Sequence, residues 1–482
     1  MDTRSMAAPS APQTLAAPLS RRTVIGSGLA AVVASRLGAA PALGARRETE
    51  SNPAEWRPWL LAAVDDVRPT APGAPTAAEI DELLDYQAKR TDETAATVKT
   101  WGGRLAVLPW AEAGMALSDE FGLSGIRDNR AQGLLRVAMY DAVLAALDAQ
   151  TAYPRDAPSA IDARITPMDG AGDAAASFPS AHAAVAGAAA TVLEYLYPDA
   201  EAGRFAALAD EAAESRLWAG ASFRSDIDAG LAIGRAVGEL AAAHGRADGS
   251  DAVWDGDGRP TGEGFWEPTP PAFVETPVEP VGGSWGTWVL PSGDAVRPAP
   301  PPAYGSPLWQ AELEAVQEAT ANRTLEQARI VEYWASKGPQ GAFTDYAAAL
   351  IERNRLDLPH AARVLALMGA GMADAPIAVW DAKYTWWTER PITADPDLAM
   401  LLPTPPYPSY PSGFSAVCGA GAVVLAHLFP EAEVELMASA AEAATQRCWS
   451  GIHFPVDDDV GLAMGFQIGR LVNAVARADG AE

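Results

Sequence analysis

Three short stretches in the C-terminal part of the chain hold side chains whose types and spacing suit chemistry. "KYTWWTERP" sets Lys383 and Arg390 seven residues apart. On one continuous helix that is two turns, so both cations would project to the same side. "YPSGF" puts Ser412 and the backbone N–H of Gly413 at an expected helix start, where a hydroxyl and free amides receive an oxyanion. "RCWSGIHFPVD" adds Arg447, His453 and Asp457. The spacing of four lets the carboxylate hold one imidazole nitrogen and leaves the other free as ligand or nucleophile. Two guanidinium forks, an ammonium, a hydroxyl, a backbone donor and an oriented imidazole together suit a tetrahedral oxyanion. Tryptophans and arginines at helical spacing can also be packing with surface pairs, but packing would not require the whole donor set at once.

The elements that must position these residues occur twice. Trp334 ends "NRTLEQARIVEYW" 233 residues after Trp101 ends "KRTDETAATVKTW", and Asp381 follows Asp148 at the same offset. "SFPSAHAAVAGAAATVLEYLYPDAE" aligns with "SYPSGFSAVCGAGAVVLAHLFPEAE", and Arg216 aligns with Arg447. Four segments in one order at a near-constant offset mark an internal duplication. The repeated segments have helical length, apolar positions three to four apart and abundant Ala and Gly, and alternating patterns are scarce. The reading is an all-α protein of two related helical bundles, with the site in the second. Its expected divisions are a signal segment over 1–45, a first bundle over 46–250, a strap over 251–310 and a second bundle over 311–482. Pro and Gly exclude regular helix from the strap, and its tryptophans call for packing across the surface.

The chain has 482 residues, 49% of them apolar and 20% charged, which is a globular composition. A formal charge of −27 argues against nucleic acid and anionic membrane as partners, so a bound anion needs a local cluster of bases. At the N-terminus, Arg21 and Arg22 precede a short apolar run with Ala40-Pro41-Ala42 as a cleavage site. This resembles a twin-arginine signal, so export to the periplasm or beyond is expected. Its removal would take Arg4, Arg21, Arg22 and Arg36 with only Asp2, leaving a still more acidic remainder. No later segment approaches about 18 uninterrupted apolar residues, so no membrane span is expected. Cys418 and Cys448 read as two buried small apolar residues, with a single bridge as the alternative.

Taken together, Lys-x6-Arg-Pro, Pro-Ser-Gly and Arg-x5-His-x3-Asp resemble the motif of the vanadium-dependent haloperoxidases and the type 2 phosphatidic-acid-phosphatase-like acid phosphatases. The likeness extends over nearly all of the chain beyond the signal and is closest to bacterial chloroperoxidase-like members. It implies that Lys383, Arg390 and Arg447 bind the oxygens of vanadate or phosphate, with Ser412 and Gly413 completing the cradle. It implies His453 as the vanadium ligand, or as the nucleophile of a phosphatase, with Asp457 orienting it and Lys383 polarising the bound oxygens. Trp380 and Tyr407 would line the halide or substrate pocket. Hydrogen peroxide and a halide would then react at His-bound vanadate to give a hypohalous-acid equivalent; the alternatives are an acid phosphatase acting on a phosphorylated substrate, a vanadate-independent enzyme, or a non-catalytic anion binder. One position departs: Phe414 stands where the family's acid–base histidine follows Pro-Ser-Gly. Loss of such a group slows proton transfer by about 10²–10⁴-fold. The first copy shows the complementary pattern, retaining His182, Arg216 and Asp226 but carrying Gln150 and Ser222 where the second has Lys383 and His453. His244, His360 and His427 lack motif partners.

Overall fold

The computed structural model describes residues 52–123, 125–171 and 176–481, so the signal segment lies outside the described residues. The first copy comprises α1 (Ala77–Ala88), α2 (Asp92–Gly102), α3 (Val107–Glu120), α4 (Gly125–Ala152), the single-turn α5 (Pro158–Ile161), α6 (Ala181–Leu196), α7 (Arg204–Ala219) and α8 (Arg224–Ala247). The second comprises α9 (Pro307–Ala321), α10 (Leu325–Arg353), α11 (Leu358–Trp386), α12 (Pro391–Ala394), α13 (Gly413–Leu428), α14 (Glu433–Trp449) and α15 (Pro455–Ala476). Among the described residues there is no strand, only two isolated bridge pairs. The protein is all-α, as its periodicity predicts. Helix α10 repeats α2 and α3 in one piece, broken only by a kink at Gly338 (φ 63°) before Pro339.

Local chemistry starts the helices at matching places. Thr91 and Thr324 each cap a helix through a reciprocal box with the residue three further on. Ser180 and Ser412 cap α6 and α13 by accepting from the amides of Ala183 and Ser415. Glycine sets how closely helices pack. A Cβ on Gly234 would lie 2.1 Å from the Ala184 carbonyl oxygen, and one on Gly465 would lie 2.1 Å from that of Ala416. Only glycine admits α8 onto α6 and α15 onto α13 at that distance.

Helices α4 and α11 lie side by side at the centre, and one hydrophobic core runs through both copies. By length and composition α11 is apolar enough to cross a membrane, yet its apolar window is entirely buried within the protein. It also carries buried Arg363, Asp374 and Lys383.

The duplication reaches beyond the helices. Asp141 accepts from the amides of Trp59, Leu60 and Leu61, and Asp374 accepts from those of Trp288, Val289 and Leu290. Arg68 pairs with Asp148 at 2.7 Å, and Arg297 with Asp381 at 2.6 Å. Residues 288–297 thus repeat 59–68, and the second copy begins inside the 251–310 stretch. The earlier part of that stretch clamps the end of α11. Trp266 N–H donates to the Trp387 carbonyl, Glu389 N–H to that of Gly264, and the Trp380 indole to that of Val278.

Candidate active site

The polypeptide reaches the site at four helix ends. Lys383 lies on the last turn of α11 and Arg447 on the last turn of α14, where cations complement the helix dipole. Ser412 caps α13, and Asp457 sits at the third position of α15. Contrary to the helical reading of their spacing, Lys383 and Arg390 do not share a helix. Trp387 adopts a left-handed conformation (φ 51°) that ends α11, and Arg390 is extended before Pro391. The proline excludes helical backbone from the residue before it. The two cations converge through this turn.

Lys383, fully buried, donates from Nζ to the carbonyls of Pro408 (2.7 Å) and Ser409 (2.6 Å). Arg390 donates from Nε to Tyr407 O (2.9 Å) and from Nη1 to Ile452 O (2.7 Å). The Tyr407 ring lies 5.1 Å from the Lys383 ammonium and 5.0 Å from the Arg390 guanidinium, with Trp380 against it at 4.9 Å. Arg447 lies 4.4 Å over the Phe414 ring, which packs edge-on to Trp334. Both aromatic faces hold cations in place. After these contacts, Arg390 Nη2 and Arg447 Nε remain buried without a hydrogen-bond partner.

His453 Nδ1 is 2.9 Å from Asp457 Oδ2, and Nε2 is 3.3 Å from Arg390 Nη1. A guanidinium only donates, so Nε2 must present its lone pair and the imidazole proton must sit on Nδ1, facing the carboxylate. The same Asp457 oxygen accepts from Ser409 Oγ (2.5 Å) and Phe454 N–H (3.1 Å). Burial holds His453 well below its ordinary pKa, helped by Arg390, Lys383 and Arg447, so the ring is neutral. Burial, then repulsion from Arg390, also pushes Lys383 well down. Asp457 is pushed up to about 6 by burial, against the Ser409 hydrogen bond. A crowded, uncompensated positive charge is what a bound dianion would relieve.

The first copy solves the same geometry internally. Arg216, the counterpart of Arg447, donates to Gly170 O (2.8 Å) and Ser215 Oγ (3.0 Å). Asp226 is paired with Arg155 at 2.6 Å, where Asp457 holds a histidine instead. His182 is pushed down to about 3 by burial and by Arg216. Gln150 donates to Pro179 O. In this copy Arg216 and Arg155 are met by protein acceptors; in the second, Arg390 Nη2 and Arg447 Nε are not.

A model of the PAP2 superfamily matches residues 143–245 and again 364–480. Each bundle contains one of the matched regions. A search of curated proteins finds no match. Among solved structures the chain is similar to a bacterial vanadium-dependent iodoperoxidase, at 22% identity and a TM-score of 0.57, covering 84% of this chain and 97% of the other. It is also similar to a bacterial vanadium-dependent chloroperoxidase. The apo form gives 13% identity, a TM-score of 0.56 and coverage of 74% and 95%. The holo form gives 14%, 0.55 and coverage of 83% and 98%. The fold is thus haloperoxidase-like.

Within the second matched region, sequence reasoning missed three residues. Ser409 joins the ammonium to the dyad, its carbonyl on Lys383 and its hydroxyl on Asp457. Its signal was present, since Ser177 occupies the same place in the aligned "SFPS". Asp458 and Ser415 form a second buried pair: Ser415 Oγ is 3.1 Å from Asp458 Oδ1 and 2.9 Å from Ser412 Oγ. Burial, then the charge of Asp457, raises Asp458 well above the usual carboxylate range. A run of three aspartates reads as a solvated helix start, which hid it. Cys418 and Cys448 are buried and free, as the small-residue reading expects.

Proposed function

We propose that the second PAP2 region holds vanadate and that the protein is a haloperoxidase-like enzyme oxidising halide with hydrogen peroxide. The observation that carries this reading is the pair of buried, unpartnered guanidinium nitrogens, Arg390 Nη2 and Arg447 Nε, beside a neutral His453 whose Nε2 presents its lone pair. Such donors are costly to bury without an acceptor, and a tetrahedral oxyanion fits them. Bound vanadate would supply the activation of hydrogen peroxide toward a halide or small organic substrate. Lys383, Arg390 and Arg447 would neutralise its charge, and Ser412 and the Gly413 amide would complete the cradle. Asp457 holds the proton on His453 Nδ1 and so keeps Nε2 directed at the guest. Trp380 and Tyr407 form the wall beside the cations.

Phe414 moves no proton; it steadies Arg447. A hydroxyl chain takes over part of that duty. Ser415 has one proton but neighbours both Ser412 Oγ and Asp458 Oδ1. With Asp458 protonated, Asp458 donates to Ser415, Ser415 to Ser412, and the Ser412 hydroxyl is left to donate onward. The same reading takes the protein to be exported, on the strength of Arg21 and Arg22.

The test is bromination of a phenol by the purified protein with orthovanadate, bromide and hydrogen peroxide. Turnover abolished by His453→Ala is the expected outcome. A folded, vanadate-loaded protein that forms no brominated product overturns the peroxidase reading. The phosphatase alternative shares the unprotonated Nε2, but it needs an acid for the leaving alkoxide, which Phe414 cannot be. It would show as aryl-phosphate hydrolysis inhibited by vanadate.

A further inference from the structure

Beside the dyad, with Asp457 in its lining, lies a pocket of about 40 Å³ that opens to solvent. Its walls include Tyr304, Trp309, Tyr410 and Phe454, with Glu312, Glu389 and Asp457 among them. Glu389 is only 4% exposed, and its Oε1 has no hydrogen-bond partner. The Trp309 side chain hydrogen-bonds the same carboxyl group. No base pairs with Glu389: the next residue, Arg390, turns its Nε and Nη1 to Tyr407, Ile452 and His453 and makes no ion pair with it. The other carboxylates around it, Glu263 and Glu267 on the strap, Glu312 on α9 and Asp457 on α15, only add negative charge. The fold does not require a buried acid here, because the equivalent residue in the first copy, Asp156, is exposed.

A buried, unpaired carboxyl calls for a cationic partner. A metal ion is disfavoured, since the described residues contain no group of three side chains able to ligate one. Aromatic faces around a carboxylate instead suit an organic cation, held by charge at one end and by ring quadrupoles around it. The pocket is open beside half-exposed Tyr304, so an ammonium end can enter it while the rest of the molecule lies outward. We propose that this pocket binds an organic ammonium ion, with Glu389 as its counter-ion and Tyr304, Trp309 and Tyr410 as its aromatic walls. The occupant would lie against Asp457, the residue that orients His453. This inference does not rest on the vanadate reading and is tested without vanadate.

Burial, and the charges of Glu267 and Glu263, push Glu389 up to about 7 against the Trp309 hydrogen bond. The carboxylate forms as pH rises through that value, so affinity for a cation should climb up to about tenfold per unit below pH 7 and level off above it. The experiment is titration calorimetry at pH 8 with phenethylammonium and with its neutral analogue, phenethyl alcohol. The ammonium should bind at least tenfold more tightly, and Glu389→Gln should erase that preference. Should Glu389→Gln fail to fold, Tyr304→Ala, at a half-exposed wall, should still weaken the ammonium several-fold. Equal binding of the two compounds, an unchanged preference in Glu389→Gln, or displacement of the ammonium by millimolar calcium would each overturn the assignment.

Discussion

At the scale of single residues, the contrast between position 414 and its counterpart is informative. His182 lies near Arg216, partly buried and neutral, its pKa pushed down to about 3. A histidine restored at 414 would face Arg447 in the same way and enter as a base. Phe414→His is therefore expected to raise vanadate-dependent bromination by at least about tenfold, within the range for a positioned proton acceptor. Asp458→Asn should lower bromination in the parent protein and have a smaller effect in the Phe414→His background, because only the parent depends on the hydroxyl chain. Steady-state bromide kinetics on the four proteins check this, and equal effects of Asp458→Asn in both backgrounds would refute the relay.

At the scale of elements, the site depends on how tightly α13 and α15 cross. Gly465 meets the Ala416 carbonyl, and Gly461 would place a Cβ 2.3 Å from the Ser412 carbonyl, so the cap and the dyad are held by backbone-to-backbone contact. Backbone cannot step aside. Gly465→Ala should destabilise the protein by about 1–3 kcal/mol through overpacking and also weaken vanadate binding. The matching change in the first copy, Gly234→Ala, should cost similar stability and leave vanadate affinity unchanged. Denaturant unfolding and vanadate calorimetry on the pair separate the two effects. The duplication itself is visible in paired contacts: the Trp101 indole donates to Glu211 at 3.0 Å, and the Trp334 indole to Glu442 at 3.0 Å.

At the scale of the whole molecule, the copies are bound into one body. Buried Arg136 on α4 donates to Thr344 on α10, and Gln340 on α10 donates to Asn129 on α4. The interior also stores acids that resist ionisation. Burial raises Asp141 and Asp374 to about 6 despite three amide donors each, and Asp457 and Glu389 titrate at about 6 and 7. A carboxyl with a raised folded pKa contributes stability that is full below its unfolded value and is lost as pH rises through the folded value. Through these four carboxyls the native state holds more protons than the unfolded chain between about pH 4 and 7, while the depressed His182 and His453 act the other way below about pH 6.5. The overall charge of −27 acts in the same direction, since self-repulsion grows with ionisation. The melting temperature should be higher at pH 5.5 than at pH 8, and a melting temperature that rises across that interval would contradict this.

The sequence by itself determined the helical class, the duplication and the charged residues that gather around His453. These rest on local or repeated signals: apolar periodicity, aligned segments, and a four-residue spacing that one helical turn converts into the His453–Asp457 contact. Tertiary structure alone decided the rest. The left-handed turn at Trp387 that brings Arg390 back to Lys383 is held by the strap, more than a hundred residues earlier in the chain. Ser409, Arg155, Asp458 and Glu389 look like ordinary polar residues until packing removes their water. Whether a cation is answered by a carbonyl, as Arg216 is, or keeps an unpartnered nitrogen, as Arg447 does, depends on which distant backbone comes within hydrogen-bonding reach, and no local pattern records that distance.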